Sequence, residues 1–407
     1  MRILYITPYV PSLIRVRPYN LIRSLAQRGH QITLVSVSSS TQEEKDADRL
    51  TEWCQHVEII PVSRTRSLWN CVKALPQPGL PLQAVYSFSP RMQQCIQALL
   101  QKEPFDLVHV EHLRAVNHGL WTCFEGPVIW DSVDCISLLF ERTLAQNPTL
   151  GARFKAWLDL ERTRRYEKWL VSQFDRVLVT SEEDAQAMRE MVAGSCYQPA
   201  ALSVLPNGVN LDYFQPQATP RAPATLVYLG RMRYHANVAA VLYLVNDIMP
   251  HIWAHRPDVN LLIVGSDPPG RIQRLAANHQ STAINVTGTV PDVRPYLAQA
   301  TVMVAPIRYG AGTSFKVLEA MAMDTPVVAT PQAVRGLQVG PGENVLVAED
   351  AETFAACVLR LLQDENLRQE LARNGRQYVE RFHNWDKIAA SLENVYLEVV
   401  EQWNNSC

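Results

Sequence analysis

The sequence predicts two α/β domains in tandem, each built on a parallel sheet covered by helices. Its 407 residues exceed what one ordinary hydrophobic core accommodates. Short β-branched runs alternate with helix-length amphipathic stretches in both halves, and this order is typical of parallel sheets. The alternation is interrupted at 211–223 by a segment that is rich in proline and poor in apolar residues. We interpret this segment as an interdomain linker.

The first half of the chain follows a strand–helix order from its start. A β-branched run at 3–7 predicts the first strand, and an amphipathic stretch at 18–28 predicts a helix that ends at Gly29. Further strands are predicted at 31–37, 57–61, 106–110, 128–130 and 176–180. This order places helices on both faces of one parallel sheet.

The same alternation starts again after the linker. Strands are predicted at 225–229, 260–264, 284–287, 301–305 and 326–329, and a helix at 236–255. Residues 354–380 predict helices that pack on this sheet, and apolar residues at helical spacing predict a final helix at 385–403. Ligands of such sheets bind beyond the carboxyl ends of the strands, so functional residues are expected in the loops that follow strands.

Composition excludes several classes of protein. The net charge is −2, from 38 basic and 40 acidic residues, whereas nucleic-acid binders usually carry a basic excess. The eight cysteines are scattered without a CxxC pair, which predicts reduced thiols. No secretory leader opens the sequence, and no apolar run approaches the roughly 18 residues of a membrane helix. We therefore expect a cytoplasmic protein that does not bind nucleic acid.

The segment PIRYGAGTS at 306–314 joins a predicted strand to a predicted helix. Free N–H groups at a helix start, reached through a loop of small residues, can bind an anion. Lys316 in the first turn adds a positive charge. Glu319 lies roughly 9 Å along the helix from its start, at 1.5 Å per residue. If the bound anion is a diphosphate, a ribose attached to it would lie within reach of Glu319. The loop residues in question are Gly310, Ala311, Gly312 and Thr313. An ordinary strand–turn–helix explains the loop equally well when it is taken alone.

Four segments together resemble the family-4 retaining glycosyltransferases. They are KVLEAMAMDTPVVAT at 316–330, LPNGVN at 205–210, LGRM at 229–232 and RGHQITLV at 28–35. The resemblance implies a metal-independent GT-B enzyme with two Rossmann-like domains facing a cleft. It also implies an acceptor domain over 1–212, a nucleotide-sugar donor domain over 213–383, and a C-terminal helix over 384–407 that crosses back to the first domain.

The resemblance also assigns roles within the donor domain. Glu319 matches the glutamate that holds the ribose, Arg231 matches the arginine that faces the donor phosphates, and the backbone around Val290 would meet the base. Further donor contacts are expected at Gly230, Gly265 and Val317.

Two departures from the family pattern alter the expected charge of the site. Ala311 replaces a glutamate that often contacts the sugar, and Ala236 replaces a lysine. Lys316 can restore the missing cation, because a metal-free site must supply fixed charges to the leaving diphosphate. The resulting variant resembles a branch of the family associated with surface polysaccharide assembly.

The segment WDSVD at 130–134 follows a predicted strand in the first half. Asp131 and Asp134 are therefore expected at the edge of the site, with a catalytic role or contacts to sugar hydroxyls, although helix capping is an alternative. His109 and Glu111 share one face of another strand. Acceptor contacts or structural hydrogen bonds are expected there, and we expect no metal site because no third ligand has suitable spacing.

Two basic segments of the first half suggest anionic partners. Arg15 and Arg17, predicted in the loop after the first strand, are candidates to bind an acceptor such as a lipid diphosphate. The stretch 151–176 combines basic residues with aromatic ones, including Phe154 and Trp157. It predicts either a peripheral contact with the inner membrane surface or a solvated helix face over a packed one.

The leading hypothesis is a retaining glycosyltransferase without a cofactor. It would move a sugar from a UDP- or GDP-sugar to a saccharide, lipid-linked or small-molecule acceptor in glycan, polysaccharide or glycolipid biosynthesis. The alternatives are a nucleotide-sugar epimerase of the same architecture and a catalytically silent nucleotide-sugar-binding protein. A dehydrogenase is disfavoured, because no GxGxxG follows the first strand.

Overall fold

The structure, a computed structural model, describes residues 1–120, 124–146, 150–197, 200–278, 283–309 and 313–406. The chain divides into two compact units. The first unit comprises Met1–Asn207 together with Trp385–Cys407, and the second comprises Gly208–Asn384. The division therefore falls a few residues before the boundary expected at 213. Within the described ranges, no helix combines the length and the apolar character needed to cross a membrane.

The sheet of the first unit is parallel throughout, with the order β3-β2-β1-β4-β5-β6-β7 among the described residues. Strands β1 and β4 are almost completely buried, which explains their continuous apolar runs. The short edge strand β7 is half exposed and was not predicted. The strands are β1 Arg2–Thr7, β2 Gln31–Ser38, β3 His56–Pro61, β4 Leu107–Glu111, β5 Val128–Val133, β6 Arg176–Val179 and β7 Ala201–Val204.

The helices of the first unit connect these strands. Several begin at a serine whose hydroxyl accepts from a backbone N–H of the first turn, as Ser63 does from Arg66. The first helix ends at Gln27, and Gly29, two residues later, has a φ of +90° that favours glycine and confirms the predicted stop. The helices are α1 Val16–Gln27, α2 Thr41–Ala47, α3 Arg64–Ala74, α4 Leu82–Tyr86, α5 Pro90–Lys102, α6 Val116–Gly119, α7 Ile136–Gln146, α8 Leu150–Leu170 and α9 Glu182–Val192, with a 3₁₀ helix at Asp48–Glu52.

The sheet of the second unit is also parallel, with the described order β10-β9-β8-β11-β12-β13. Five of its strands were predicted, and β13 was missed because it has only two residues. The strands are β8 Thr225–Leu229, β9 Asn260–Val264, β10 Ile284–Gly288, β11 Val302–Ala305, β12 Val327–Ala329 and β13 Leu346–Val347.

The helix predicted at 236–255 is interrupted by a π-helical turn at Leu244–Ile248. Pro250 near the start of the next helix lacks an N–H group, so the regular backbone ladder cannot continue through it. The helices of the second unit are α10 His235–Tyr243, α11 Met249–His255, α12 Gly270–Asn278, α13 Arg294–Gln299, α14 Phe315–Ala322, α15 Ala351–Gln363 and α16 Glu365–Phe382.

The final helix, α17 Trp385–Ser406, belongs to the first unit, as the C-terminal crossing expected from the resemblance requires. It packs on α1 through a buried face that includes Leu392 and Tyr396. Polar contacts flank this face: Ser24 Oγ donates to Asp386 Oδ1 at 2.8 Å, and His30 Nε2 lies 3.0 Å from a carboxylate oxygen of Glu393.

Each sheet has one point at which the strand order reverses. In the first unit the chain extends from β1 to β2 and β3, and then continues on the other side of β1 with β4. In the second unit β8 occupies the corresponding place between β9 and β11. Ligands of doubly wound sheets bind at the carboxyl ends of the strands beside such a reversal. The residues that follow β1, β4, β8 and β11 therefore merit closest inspection.

Candidate functional site

The donor residues predicted in the second unit follow β8 and β11. These two strands pair in parallel beside the reversal of strand order, so their carboxyl ends lie at one edge. Gly230 and Arg231 come directly after β8, and the loop after β11 leads into α14, which carries Lys316 and Glu319. The fold thus brings together two motifs that are separated by more than 80 residues in the sequence.

Gly265 and Gly230 allow two loops to approach closely. A Cβ at Gly265 would lie 1.8 Å from the carbonyl oxygen of Gly230, and a Cβ at Gly230 would lie 2.8 Å from the side chain of Asn237. The Gly230 N–H donates to the carbonyl of Val264 at 3.0 Å. Glycine is required at position 265 because another backbone passes there.

Lys316 lies at the centre of a polar cluster in the second unit. Its Nζ donates to Asn237 Oδ1 at 2.7 Å and to the Tyr228 hydroxyl at 3.0 Å, and lies 4.5 Å from the centroid of the Tyr228 ring. Asn237 Nδ2 in turn donates to the carbonyl of Arg231 at 2.9 Å. The ammonium group is therefore held by β8 and α10 and is linked through Asn237 to the loop that carries Arg231.

Sequence reasoning missed Tyr228 and Asn237. A signal for Asn237 exists, because it directly follows Ala236, the position at which the family usually has a lysine. Ala236 itself is buried in the first turn of α10. The Lys316 ammonium thus lies beside the segment from which the usual lysine is missing.

Lys316 and Glu319 influence each other's charge. Burial lowers the pKa of Lys316 to about 7, and the nearby Glu319 carboxylate opposes this shift. Burial likewise raises the pKa of Glu319 to about 7, and the charge of Lys316 opposes that shift. No hydrogen bond to the Glu319 carboxylate is found in the described part of the chain. Both groups are half-buried and three residues apart on α14, so one ligand can contact both.

The remaining donor residues vary in their placement. Gly310, Ala311 and Gly312 lie outside the described residues. Thr313 is half-buried, and its carbonyl accepts from the Phe315 N–H at 3.1 Å. Arg231 is exposed, and Val290 is half-buried after β10.

Val317 was expected to contact the donor, but its side chain is fully buried in the core of the second unit. Its N–H donates to the Ser314 carbonyl at 3.0 Å. The side chain and the N–H group of Val317 are thus both engaged within the second unit.

Arg17 was expected in a loop, but it lies in the first turn of α1 and is buried. Its Nε donates to Asp131 Oδ2 at 2.9 Å, and its Nη1 donates to the Leu205 carbonyl at 3.0 Å and to Asn207 Oδ1 at 3.1 Å. The guanidinium therefore fastens α1 to β5 and to the segment LPN at 205–207. The segment thus supplies acceptors to a buried guanidinium, and an unpaired buried charge would be costly.

His109 and Glu111 share a face of β4, as predicted, but both are completely buried. The His109 ring stacks on Tyr5, with 4.2 Å between centroids, and its Nδ1 lies 2.8 Å from the Tyr396 hydroxyl of α17. Burial, with the charge of Arg17, lowers the pKa of His109 to about 3. The structural hydrogen bonds considered from the sequence are thus present.

Glu111 accepts from the hydroxyls of Tyr5 at 3.0 Å and Tyr9 at 2.9 Å. Burial raises its pKa, and the neighbouring Asp131 carboxylate adds to that shift. The expectation that Arg17, His109 and Glu111 contact an acceptor directly is corrected by their burial. They form, with Asp131, a closed polar network that positions the strand ends.

Asp134 lies at the end of β5 and is half-buried. Burial, with the charge of Asp184, raises its pKa to about 6. The preceding Val133 has a φ of +68°, which is strained for a β-branched residue, and its N–H donates to Asp131 Oδ1 at 3.1 Å. The strand shifts its register at this point. Because of this strained turn, Asp134 lies outside the closed polar network that contains Asp131.

Comparison with known proteins agrees with this geometry. Residues 15–213 match the family described as Glycosyltransferase Family 4, and residues 223–364 match Glycosyl transferases group 1. A phosphatidyl-myo-inositol mannosyltransferase of Mycobacterium leprae (strain TN) is 25% identical over 97% of this chain and 96% of its own length.

Solved structures share the fold. Sucrose-phosphate synthase of Thermosynechococcus elongatus has a TM-score of 0.73 and 20% identity, covering 99% of this chain and 100% of its own. HepE of Anabaena, solved with UDP, has a TM-score of 0.67 and 13% identity, covering 98% of this chain and 100% of its own.

These relationships favour glycosyl transfer over the epimerase and silent-binding alternatives. One family match covers most of the first unit and the other lies in the second, and the Mycobacterium leprae relative extends over nearly the whole chain. The chain belongs to the family-4 glycosyltransferases and has the GT-B fold.

Proposed function

We propose that this glycosyltransferase is a metal-independent hexosyltransferase that uses a UDP- or GDP-sugar and retains the anomeric configuration. The observation that carries the proposal is the cluster in which Tyr228 and Asn237 hold the Lys316 ammonium beside the loop of Arg231. The cluster lies at the carboxyl ends of β8 and β11, where an open α/β sheet binds its ligand.

The positive charge of the cluster is complementary to the negative charge that develops during the reaction. When the bond between the sugar and the nucleoside diphosphate breaks, negative charge grows on the leaving diphosphate. Preorganised cations at that position stabilise the transition state most when they are held in place before the reaction. Lys316 is held by two hydrogen bonds and Arg231 lies on the adjoining loop, so together they can take the role that a metal ion has in other transferases. Arg233 and Arg308, both exposed, are further candidates to contact the diphosphate.

Glu319 is the proposed partner of the ribose. Its carboxylate lies on the same helix as Lys316, can accept from two hydroxyls, and has no hydrogen-bond donor in the described part of the chain. Because its pKa is raised to about 7, hydroxyl donors from a ligand would also favour its ionised form.

The first unit is the proposed acceptor domain. Arg15 is exposed after β1 and Asp134 is half-buried after β5, so both are accessible to a saccharide, lipid-linked or small-molecule acceptor. The relative named as a phosphatidyl-myo-inositol mannosyltransferase supports an acceptor that carries a lipid or a phosphate. A role in surface polysaccharide assembly belongs to the same proposal.

A peripheral contact with the inner membrane surface, from the cytoplasmic side, completes the proposal. Helices α3 and α8 present what we call the α3–α8 face. Arg162 of α8 joins the two helices by donating to the carbonyls of Ala74 and Leu75, at 3.1 and 2.7 Å. The exposed apolar residues of the face are Leu68, Trp69, Val72, Leu75, Leu150, Phe154 and Trp157.

The same two helices also carry exposed cations: Arg64, Arg66, Lys73, Arg153 and Lys155. Exposed apolar residues and cations on the same helices suit an anionic lipid surface, since the aromatic rings enter the interface and the cations meet the headgroups.

The donor assignment is tested by calorimetry with nucleoside diphosphates and their sugars. Glu319→Gln should weaken nucleotide binding by about 10–100-fold, because it removes a charged acceptor worth about 1.5–3 kcal/mol. The matched control is Glu370→Gln, an exposed glutamate on α16. Equal affinity of both variants and the wild type would refute the role of Glu319. NMR of the linkage formed from the preferred donor tests retention, and an inverted linkage would refute it.

A further inference from the structure

The first unit contains two arginines and a histidine that the donor chemistry does not use. Arg15 follows β1, and His112 and Arg114 follow β4. These strands pair beside the reversal of strand order in this unit. The three side chains therefore lie at the edge where a ligand of the first sheet would bind.

Each of the three side chains, two guanidiniums and an imidazole, contacts a tyrosine ring. The guanidinium carbon of Arg15 lies 4.5 Å from the centroid of the Tyr9 ring, and the Tyr9 and His112 rings are 6.3 Å apart, edge to face. The guanidinium carbon of Arg114 lies 5.3 Å from the centroid of the Tyr86 ring. Cation–π contacts of this kind orient a guanidinium while leaving its N–H groups free to donate.

The positive charge of the cluster is not neutralised in the described part of the chain. No carboxylate pairs with Arg15 or Arg114 there, and the Arg114 Nε is buried without a hydrogen-bond partner. The nearby carboxylates are engaged elsewhere, since Glu111 accepts from Tyr5 and Tyr9 and Asp131 pairs with Arg17. Burial, with the charge of Arg15, lowers the pKa of Arg114. Such an arrangement is unfavourable until an anion occupies it.

His112 adds a neutral donor to the cluster. The Arg114 N–H donates to His112 Nδ1 at 3.2 Å, so Nε2 carries the ring proton of the neutral histidine. Burial, with the charges of Arg114 and Arg15, lowers the pKa of His112 to about 3. The residue has a φ of +66°, and its backbone N–H donates to the Asp131 carbonyl at 2.6 Å. The network around Asp131 thus holds His112 in a strained conformation.

We propose that Arg15, His112 and Arg114 form a phosphate-binding site, so that the acceptor of this enzyme carries a phosphate group. The inference rests on the proposed acceptor role of the first unit. A tetrahedral phosphate accepts from donors that arrive from several directions, as these do from two loops, and arginine pairs with phosphate particularly well. The phosphate can belong to a soluble sugar or polyol phosphate or to a lipid headgroup, and both present the same chemistry.

Isothermal titration calorimetry of the intact protein tests the site with four named probes. Glycerol 3-phosphate is compared with glycerol, and dihexanoyl phosphatidic acid below its micelle concentration is compared with dihexanoyl phosphatidylcholine. We expect saturable binding of the phosphomonoesters alone. Tighter binding of the phosphatidic acid would indicate a lipid acceptor, and equal binding of the two phosphomonoesters a soluble one. Absence of saturable binding by either phosphomonoester overturns the proposal.

Variants locate the binding. Arg114→Gln and Arg15→Gln should each weaken the binding of the phosphomonoesters by about 10–100-fold, which is the effect of losing one charged hydrogen-bond partner. The control is Arg49→Gln, an exposed arginine that precedes β3 and so lies at the opposite edge of the sheet. The proposed site is contradicted if Arg49→Gln loses as much affinity as the cluster variants, or if neither cluster variant loses affinity. Arg114→Gln should also leave the melting temperature unchanged or higher, because it relieves repulsion, whereas a merely structural arginine would lower it.

Nucleoside diphosphate affinity is measured on the same samples. It should be unchanged in the cluster variants, because the donor residues lie in the second unit. If the wild type binds the nucleotide but not the phosphomonoesters, only the proposal of a phosphate site is refuted. If the nucleotide itself fails to bind, the proposed function is wrong.

Discussion

Lys316 is the residue on which the donor chemistry of the second unit depends. Its ammonium is half-buried, yet it has two hydrogen-bond partners and a carboxylate three residues along the helix. Burial lowers the pKa of Lys316 and the Glu319 carboxylate opposes this shift, and the result is a pKa of about 7. Binding of an anion should therefore be coupled to protonation of this residue.

The affinity for a nucleoside diphosphate should fall as pH rises above 7. The free enzyme loses the Lys316 proton near pH 7, whereas a bound diphosphate raises that pKa, so binding above pH 7 requires proton uptake. The Kd should rise by up to about 10-fold per pH unit until the pKa of the complex is reached. Calorimetry in two buffers of different ionisation enthalpy measures the proton uptake.

Two variants serve as controls for this pH dependence. Lys316→Arg keeps its charge and Lys316→Met has none, so neither should show a decline of affinity between pH 7 and pH 8.5, and the methionine variant should bind more weakly throughout. A wild-type affinity that is constant over this range would contradict the assignment of the proton to Lys316.

The sequence could show Lys316 and Glu319 because their three-residue spacing on one helix is a local property. It could not show Tyr228 and Asn237, which reach Lys316 across 88 and 79 residues of chain. The prediction for Arg17 was wrong because its contacts, too, are far away in the sequence. Its partners Leu205 and Asn207 lie 188 and 190 residues away, and nothing local indicates that a charged residue beside a loop is buried. Contacts over such separations depend on the sheet order.

At the scale of elements, strongly periodic segments were predictable and short ones were not. The buried runs of β8 and β9 match their predicted bounds, whereas β7 and β13 have four and two residues and show little alternation. The final helix was predicted from apolar spacing, and its assignment to the first unit came from the family resemblance. Periodicity shows that a face is buried, but not which surface covers it.

The buried face of α17 should contribute strongly to the stability of the first unit. Leu392 is completely buried there, so Leu392→Ala should cost about 2–5 kcal/mol through lost burial and a residual cavity. Leu397 on the same helix is 53% exposed, and Leu397→Ala should change stability by less than about 0.5 kcal/mol. Urea denaturation followed by circular dichroism compares the two. Similar losses in both variants would argue against the packing of α17 on the first unit.

The α3–α8 face should bind anionic membranes through its tryptophans. Trp69 and Trp157 are 56% and 66% exposed, and Lys73 lies 5.5 Å from the Trp69 ring. The double variant Trp69→Ser, Trp157→Ser should reduce sedimentation with phosphatidylglycerol vesicles at least 10-fold, because two large apolar rings no longer enter the interface. Leu397→Ser is the control for an exposed apolar residue elsewhere. Equal sedimentation of all three proteins would refute the face as a membrane contact.

At the scale of the whole molecule, each unit carries its ligand residues beside the strand reversal of its own sheet. The second unit offers cations and a carboxylate suited to a nucleoside diphosphate sugar, and the first offers Asp134 and the Arg15 cluster to an acceptor. Transfer requires both ligands, and its barrier depends on how well the leaving diphosphate is stabilised. The central claim is that fixed cations of the second unit provide this stabilisation without a metal.

The most direct test is the single-turnover rate of nucleoside diphosphate release from the donor, measured with a metal chelator present. The wild type should keep its full rate, and Lys316→Ala and Arg231→Ala should each lower it by about 10²–10³. The double variant should lose less than the product of the two effects, because both cations act on one charge. The control variant Arg373→Ala, at an exposed position of α16, should keep the wild-type rate. A near-normal rate for Lys316→Ala, or wild-type activity that the chelator abolishes and Mg²⁺ restores, would contradict the account.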